Sequence, residues 1–318
     1  MYKENSCEMR GCMKKKTPVI LDVDTGVDDA IAIAFACYLK NLDVRLIATG
    51  GGNTGVDNVT NNTLNILQFI KRENVVLAKG SDSILSEKDF KLSGVHGATG
   101  LGDFDFEPLR MKPIEMNVVD AMHEAIQNVE DKVVIIALGP STNVARLMLK
   151  YPEDKAKIEK IVISGGLIET IGKHAKPYSS FNIAFDNEAT DIVLDSGEDI
   201  LVVPSNHGHT AYLTYEDVFK TKNTNKTGEM FEKIFRSYKD RHVKNGVATH
   251  DLCAVLSVSN PEIFKIVPTR AYVEYSDIAK AGILKFDMES GSPNLMIATE
   301  VDIKKFKKLY FKILKQMP

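Results

Sequence analysis

The chain has 318 residues and a formal net charge of −3, which results from 40 Lys and Arg against 43 Asp and Glu. This balance excludes a uniformly basic surface, so nucleic acid is not expected as a partner. With 44% hydrophobic and 26% charged residues, the composition is that of an ordinary globular protein, and it excludes collagen-like, coiled-coil and broadly disordered classes.

The first 16 residues include two of the four cysteines and three consecutive lysines, but no apolar core of the kind that a secretory signal requires. We interpret residues 1–16 as a flexible N-terminal tail. No repeat or linker interrupts the remainder, which favours a single domain over residues 17–318. Cys37 and Cys253 lie in apolar helical patterns and are expected to be buried hydrophobes, which suits a reducing, cytoplasmic setting.

From residue 18 onward, short β-branched runs alternate with helical patterns. This alternation predicts an α/β fold with an open, mostly parallel β-sheet, helices on both faces and a Rossmann-like core. Strands are predicted at 18–24, 44–49, 75–78, 132–138, 160–164 and 200–203, and helices at 28–39, 56–71, 121–129, 142–150 and 188–195. The apolar run at 30–39 is half the length of a membrane span of about 20 residues, so it predicts a buried helix in a soluble protein with no membrane partner.

Beyond residue 205 the alternation changes. We predict a long polar helix at 227–244, a helix at 251–257, strands near 271, 283 and 295, and a basic helix from Ile303, whose lysines we interpret as a solvated face. In open parallel sheets, ligands bind beyond the carboxyl ends of the strands, so polar residues at those ends are the candidates for function.

Four carboxylates lie within eight residues at the end of the first strand: Asp22, Asp24, Asp28 and Asp29. A helix N-terminus offsets their repulsion by only about 1 kcal/mol each, whereas a divalent cation offsets much more. An all-oxygen group favours Ca²⁺ or Mg²⁺ over Zn²⁺. A structural alternative, with Asp28 as a helix N-cap and Asp22 as a hydrogen-bond acceptor, explains only part of the cluster.

Other candidates occur at later strand ends and in loops. Asn53 follows three glycines that permit a close backbone approach, and the turn before Thr142 exposes carbonyls that suit a hard cation. The pair His250-Asp251 stands at the start of a predicted helix. It either caps that helix or belongs to the functional site. Asn182 binds a hydroxyl or caps a turn, whereas the helical histidines His123 and His242 are expected to be surface groups.

Residues 22–30, DVDTGVDDA, resemble the signature of the calcium-dependent ribonucleoside hydrolases, the inosine-uridine preferring nucleoside hydrolase family, in which proline usually stands at the position of Thr25. The resemblance covers essentially all of 18–318, through the motifs at 52–53, 96–97, 139–143, 181–189, 250–251 and 260–264. It implies the nucleoside hydrolase fold, hydrolysis of ribonucleosides to ribose and free base, a role in purine or pyrimidine salvage, and a homodimer or homotetramer.

The resemblance also implies roles for individual residues. The ligands of one Ca²⁺ would be Asp24, Asp29, Asp251 and the carbonyl of Thr142. The ribose 2′ and 3′ hydroxyls would be held by Asp28, Asn53 and Asn182. Asp24 would activate a calcium-bound water that attacks C1′, His250 would donate a proton to the departing base, and His96 is a candidate on the base side. This assignment agrees with an oxocarbenium-like transition state, which needs a positioned nucleophile and help for the leaving group.

The sequence departs from the family on the side that would hold the ribose 5′ position. Ser180 replaces a glutamate that grips the 5′ hydroxyl, His174 replaces an asparagine, and Ser164 replaces a methionine. With Lys173, these hydroxyl and cationic donors suit a 5′-phosphate or another 5′-substituent. The alternative is that they form a solvated loop that the free nucleoside tolerates.

Two other functions stay open at this point. Asp22-Val-Asp24 resembles the carboxylate pair of haloacid-dehalogenase-type phosphatases, although Gly26 and Asp28-Asp29 do not match that signature. A non-catalytic riboside-binding protein is the other alternative, but simple binding requires neither the base Asp24 nor the acid His250. The residues that would contact the base lie in irregular segments, so the sequence predicts no purine or pyrimidine preference.

Overall fold

The computed structural model describes residues 15–86, 92–93, 95–102, 104–168, 180–238, 243–274 and 283–318. The strands are β1 (Thr17–Val23), β2 (Leu42–Thr49), β3 (Leu77–Ala78), β4 (Val133–Ala137), β5 (Ile158–Ser164), β6 (Ile200–Val203), β7 (Leu213–Thr214), β8 (Gly246–Val247), β9 (Phe264–Glu274), β10 (Ile283–Asp287) and β11 (Leu295–Val301). The α-helices are α1 (Val27–Tyr38), α2 (Val56–Phe69), α3 (Val118–Gln127), α4 (Thr142–Lys150), α5 (Phe181–Phe185), α6 (Asn187–Leu194), α7 (Asn206–Thr210), α8 (Tyr215–Lys222), α9 (Lys226–Phe235), α10 (His250–Ser259) and α11 (Ile303–Leu314). Short 3₁₀ helices cover Pro152–Lys157 and Pro261–Ile263.

The main sheet confirms the predicted fold class. Its strand order is β10-β9-β11-β6-β5-β4-β1-β2-β3. The strands from β11 to β3 in this order pair in parallel, whereas β9 is antiparallel to both β11 and β10. The chain runs from β1 to β2 and β3 on one side and then returns to β4 on the other. The carboxyl end of β1 therefore lies at the point of reversal, where open α/β sheets bind ligands.

Helices cover both faces of the sheet, because successive strand residues point to opposite sides. Leu21 belongs to an apolar cluster that includes residues of α1, α9, α10 and α11, whereas its neighbour Ile20 belongs to a second cluster that includes residues of α3, α4 and α6. Every residue from Val27 to Ala36 is buried, so the apolar run at 30–39 forms a buried helix as predicted. Within the described ranges, no helix is long and apolar enough to cross a membrane.

The predicted helix at 227–244 is too long, and the helix before it was not predicted. The structure has α8 and α9 in succession, and α9 ends at Phe235. Thr214 caps α8, and Asn225 separates the two helices because its side chain caps α9. After Phe235 the Ser237 hydroxyl donates to a carbonyl three residues earlier, a local bond that competes with continuation of the helix.

The expectation that His123 is a surface group is wrong, and His242 lies outside the described residues. The His123 side chain is only 26% exposed, its Nδ1 lies 2.9 Å from both carboxylate oxygens of Asp154, and its ring stacks on Tyr151. Asp154 is fully buried and also accepts a bond of 2.7 Å from Gln127 Nε2. This buried carboxylate fixes α3 to the 3₁₀ helix that precedes β5.

We expect Asp154→Ala to lower the free energy of unfolding by about 1–3 kcal/mol, because the partly buried His123 imidazole and the Gln127 amide lose the buried carboxylate that they contact. Urea denaturation followed by circular dichroism measures this loss. The matched control is Glu153→Ala, which removes the exposed neighbouring carboxylate and should change stability by less than about 0.5 kcal/mol. Equal stabilities of the two variants would contradict the role given to Asp154.

Candidate active site

The loops at the carboxyl ends of β1, β2 and β4 pack tightly around Asp24. A Cβ on Gly52 would lie 2.2 Å from Asp24 Oδ2, and one on Gly139 would lie 3.0 Å from Asp24 Oδ1. The backbone of the glycine-rich turn after β2 can therefore approach the carboxylate only without side chains. In the same turn the Asn53 N–H donates to Asp24 Oδ2 at 2.8 Å, which fixes the orientation of this buried carboxylate.

Asp29 is held at the start of α1. Its Oδ2 accepts the Gly26 N–H at 2.9 Å and the Asn53 side-chain amide at 3.3 Å. Its Oδ1 is buried and forms no hydrogen bond within the described residues. The N-cap of α1 is Gly26 rather than Asp28, so the structural alternative for Asp28 is wrong. The chain turns at the glycine, which places both Asp28 and Asp29 in the first turn.

Three buried carboxylates form a group that suits a cation. Asp28, Asp29 and Asp251 each offer an oxygen, and these oxygens lie within 4.8 Å of one another. They belong to the first turns of α1 and α10, so two helix N-termini converge on the group. The group contains two of the predicted ligands, together with Asp28, which the family resemblance places at the ribose.

Electrostatics explain why this group needs a positive charge. Burial raises the pKa of Asp251 well above its usual value, and the charges of Asp28, Asp29 and Asp24 raise it further. Burial and then the charge of Asp29 likewise raise the pKa of Asp24, and burial raises that of Asp29 to about 6. An oxygen-only donor set with an unpartnered buried oxygen on Asp29 fits a hard divalent cation.

Asp22 has the structural role that the sequence predicts. It lies two residues before Asp24, and its Oδ1 accepts the Asn143 side-chain amide at 2.8 Å. Burial raises its pKa to about 7. The same amide also donates to the carbonyl of Thr49 at the end of β2, so Asn143 connects the ends of β1 and β2 to the start of α4.

On the opposite side of the site, Asn182 and Ser164 contact the same region. Asn182 Nδ2 donates to the backbone carbonyls of Leu138 and Ser164, which leaves its Oδ1 as the remaining acceptor of the side chain. The Ser164 hydroxyl donates to Asp251 Oδ1 at 2.9 Å. Ser180 is buried next to Gly165, whereas Lys173 and His174 lie outside the described residues.

His250 is oriented by its surroundings. Its Nδ1 lies 3.1 Å from the Ser205 carbonyl, which can only accept, so Nδ1 carries a proton and Nε2 is the second functional nitrogen. A Cβ on Gly208 would lie 2.2 Å from His250 Nδ1, so the ring requires glycine there. The N-cap of α10 is Thr249, and Asp251 binds Ser164, so simple capping does not explain the His250-Asp251 pair.

His96 lies against the start of α1. Its Nδ1 accepts the Val27 N–H at 3.0 Å and is 3.8 Å from Asp28 Oδ1, and its ring lies 5.0 Å from that of Tyr238. The bond from Val27 places the proton of the neutral imidazole on Nε2. The glycine-rich loop that carries His96 therefore closes over the carboxylate group from the side of α9.

Asp186 lies within the family motif at 181–189, but the sequence predicts no role for it. Asp186 is fully buried and caps α6 by accepting the Ala189 N–H at 3.2 Å. It also accepts the N–H groups of Leu85 and Ser86 and the hydroxyl of Thr142 at 2.7 Å. An aspartate before a helix is a signal for a cap that the sequence contains. The hydrogen bond from the Thr142 hydroxyl, 44 residues away, has no such signal.

The comparisons with known proteins agree with this fold. The family model described as inosine-uridine preferring nucleoside hydrolase matches residues 19–308. The non-specific ribonucleoside hydrolase RihC of Escherichia fergusonii is 33% identical over 303 residues, which are 94% of this chain and 98% of that protein. RihC of Klebsiella pneumoniae is 33% identical over 297 residues, 92% of this chain and 96% of that protein.

Solved structures show the same fold. A plant nucleoside hydrolase has a TM-score of 0.85 and 28% identity and covers 94% of this chain and 99% of its own. The purine-preferring ribonucleoside hydrolase of Gardnerella vaginalis has a TM-score of 0.85 and 24% identity, with coverage of 94% and 98%. The fold and the buried acidic site are those of a metal-dependent N-glycosidase. The chain belongs to the inosine-uridine preferring nucleoside hydrolase family, and it is an N-ribosyl hydrolase.

We expect Asp186→Ala to destabilise the protein by at least about 3 kcal/mol, because several buried N–H and hydroxyl donors lose their acceptor together. Asp195→Ala removes an exposed carboxylate at the other end of α6 and serves as the control. Chemical denaturation of both variants tests the expectation. An Asp186→Ala protein as stable as the control would show that water replaces these hydrogen bonds at little cost.

Proposed function

We propose that this enzyme hydrolyses the N-glycosidic bond of ribonucleosides to ribose and free base, with one Ca²⁺ held by Asp24, Asp29, Asp251 and the carbonyl of Thr142. The observation that carries the proposal is the convergence of buried carboxylates from α1 and α10. In the described part of the chain, no Lys or Arg forms an ion pair with Asp24, Asp29 or Asp251. When bound, the cation would lower the pKa of the attacking water and polarise the ribose hydroxyls.

The residues of the chain supply the remaining steps. Asp24, which the Asn53 N–H fixes, accepts the proton of the water as it attacks C1′. Asp28, Asn53 and the Oδ1 of Asn182 bind the 2′ and 3′ hydroxyls. As the bond to the base breaks, the fixed carboxylates stabilise the positive charge that develops on the sugar.

His250 assists the departing base in this proposal. Because its Nδ1–H is directed to the Ser205 carbonyl, it can donate a second proton from Nε2 only as the imidazolium. His96, held by the Val27 N–H beside Asp28, is the candidate that faces the base from the loop side. The homodimer or homotetramer and the salvage role stay predictions from the family resemblance.

Family membership favours this reaction over the phosphatase and the non-catalytic binder. The 5′ side of the substrate stays a prediction, because Lys173 and His174 lie outside the described residues and Ser164 contacts Asp251. A substrate panel of inosine, uridine and their 5′-monophosphates, with release of free base followed by chromatography, covers both alternatives. Faster release from the monophosphates would favour the 5′-substituted substrate, and phosphate release without free base would favour the phosphatase.

We expect Asp24→Ala to reduce kcat/KM for nucleosides by about 10³-fold or more, because the change removes a general base and a proposed metal ligand together. The control is Asp57→Ala, which removes an exposed carboxylate of α2 that pairs with Lys79. Release of free base from inosine and uridine measures both variants. Undiminished turnover by a folded Asp24→Ala protein would refute the role of this residue.

We expect chelation to lower the melting temperature and calcium to restore it, because a ligand at 100 times its Kd stabilises the native state by about 2.7 kcal/mol. Thermal unfolding of the chelated and calcium-loaded protein measures the melting temperature.

Calcium should bind more weakly at pH 5 than at pH 8. Protons compete for carboxylates whose pKa is raised, as for Asp29 at about 6, and a cation must displace those protons. Calorimetric titration of the chelated protein at both pH values measures calcium affinity. Absence of binding at pH 8 would exclude Ca²⁺ as the cofactor.

A further inference from the structure

Ser164, the last residue of β5, lies between the acidic group and the residue proposed to bind the ribose. Its hydroxyl donates to Asp251 Oδ1 at 2.9 Å, and both side chains are buried, with 3% and 4% exposure. An ionised carboxylate can only accept, so the single hydroxyl proton is committed to Asp251. The two residues are 87 positions apart, so this bond ties the central sheet to the N-terminus of α10.

The backbone of Ser164 is engaged as well. Its carbonyl accepts a bond of 3.0 Å from Asn182 Nδ2, and the other proton of that amide goes to the Leu138 carbonyl. Both protons of the Asn182 amide are thereby engaged, which leaves its Oδ1 as the acceptor that we propose for a ribose hydroxyl. One residue therefore contacts both Asp251 on the cation side and Asn182 on the ribose side.

The bond to Ser164 restricts how Asp251 can present its oxygens. It is the only hydrogen bond that the structure gives the Asp251 side chain within the described ranges. Because Oδ1 accepts from Ser164, the Asp251 carboxylate is held in one orientation beside Asp28 and Asp29. Partners of this kind, which orient a metal ligand, are worth about 10–100-fold in metal affinity or activity.

We propose that Ser164 is a positioning residue, which orients Asp251 for cation binding through its hydroxyl; this inference rests on the proposed function. The methionine that the family usually has at this position has no donor and cannot make such a bond. The hydroxyl of Ser164 would therefore act on the cation side of the site through Asp251.

The test is calorimetric titration of calcium into chelated protein carrying one of four substitutions. Ser164→Ala removes the hydroxyl, and Ser164→Thr and Ser164→Val form a matched pair of equal shape that differ only in it. The control Ser257→Ala removes a buried hydroxyl of α10 that donates to the Ala254 carbonyl. Urea denaturation of each chelated variant separates effects on folding from effects on the site.

We expect Ser164→Ala and Ser164→Val to weaken calcium binding by about 10–100-fold, and Ser164→Thr and Ser257→Ala to bind nearly as wild type. Activity of the Ala and Val variants should recover as calcium is raised, a dependence that a purely structural role would not produce. Equal affinities for the Thr and Val variants would overturn the inference, even if Ser164→Ala did not fold. If the wild type binds no calcium, the proposed function itself fails and the inference fails with it.

Discussion

The repulsion between buried carboxylates is the constraint on which the structure of this site depends. Four carboxylates are removed from water, those of Asp24, Asp28, Asp29 and Asp251. Burial of each charge costs several kcal/mol unless the charge is compensated. Backbone N–H groups of Gly26 and Asn53 and two helix N-termini supply part of that compensation. The proposed cation would compensate the remaining repulsion among these carboxylates.

Keeping these charges in place requires a dense backbone around them. Glycines at 52, 139 and 208 allow the loops to touch Asp24 and His250 where any side chain would collide. A second set of buried polar groups lies beneath the first. Asn143 connects the ends of β1 and β2 to the start of α4, and Asp186 ties that start to α6 and to the loop at Leu85 and Ser86. The geometry of the site therefore depends on all the loops at the carboxyl ends of the strands around β1.

Apolar periodicity in the sequence was sufficient to predict most strands of the main sheet. The helix over Thr142–Lys150 and the strand over Ile200–Val203 have the predicted bounds, because apolar periodicity and burial agree there. The prediction failed at 227–244, where the helix ends at Phe235 and the Ser237 hydroxyl donates to the Ile234 carbonyl. It also failed at His123, because the carboxylate that contacts this imidazole is 31 residues away.

The sequence by itself determined the α/β class, the acidic cluster after the first strand and the family resemblance, because spacing and residue type are local properties of the chain. Only the tertiary structure decided that Asp28 groups with Asp29 and Asp251, that Ser164 donates to Asp251, and that Asp186 holds Thr142. Each of these contacts joins residues at least 44 positions apart, and the turn at Gly26 places the neighbours Asp28 and Asp29 in one helical turn. No local pattern encodes such pairings, since they arise when the sheet and its helices pack.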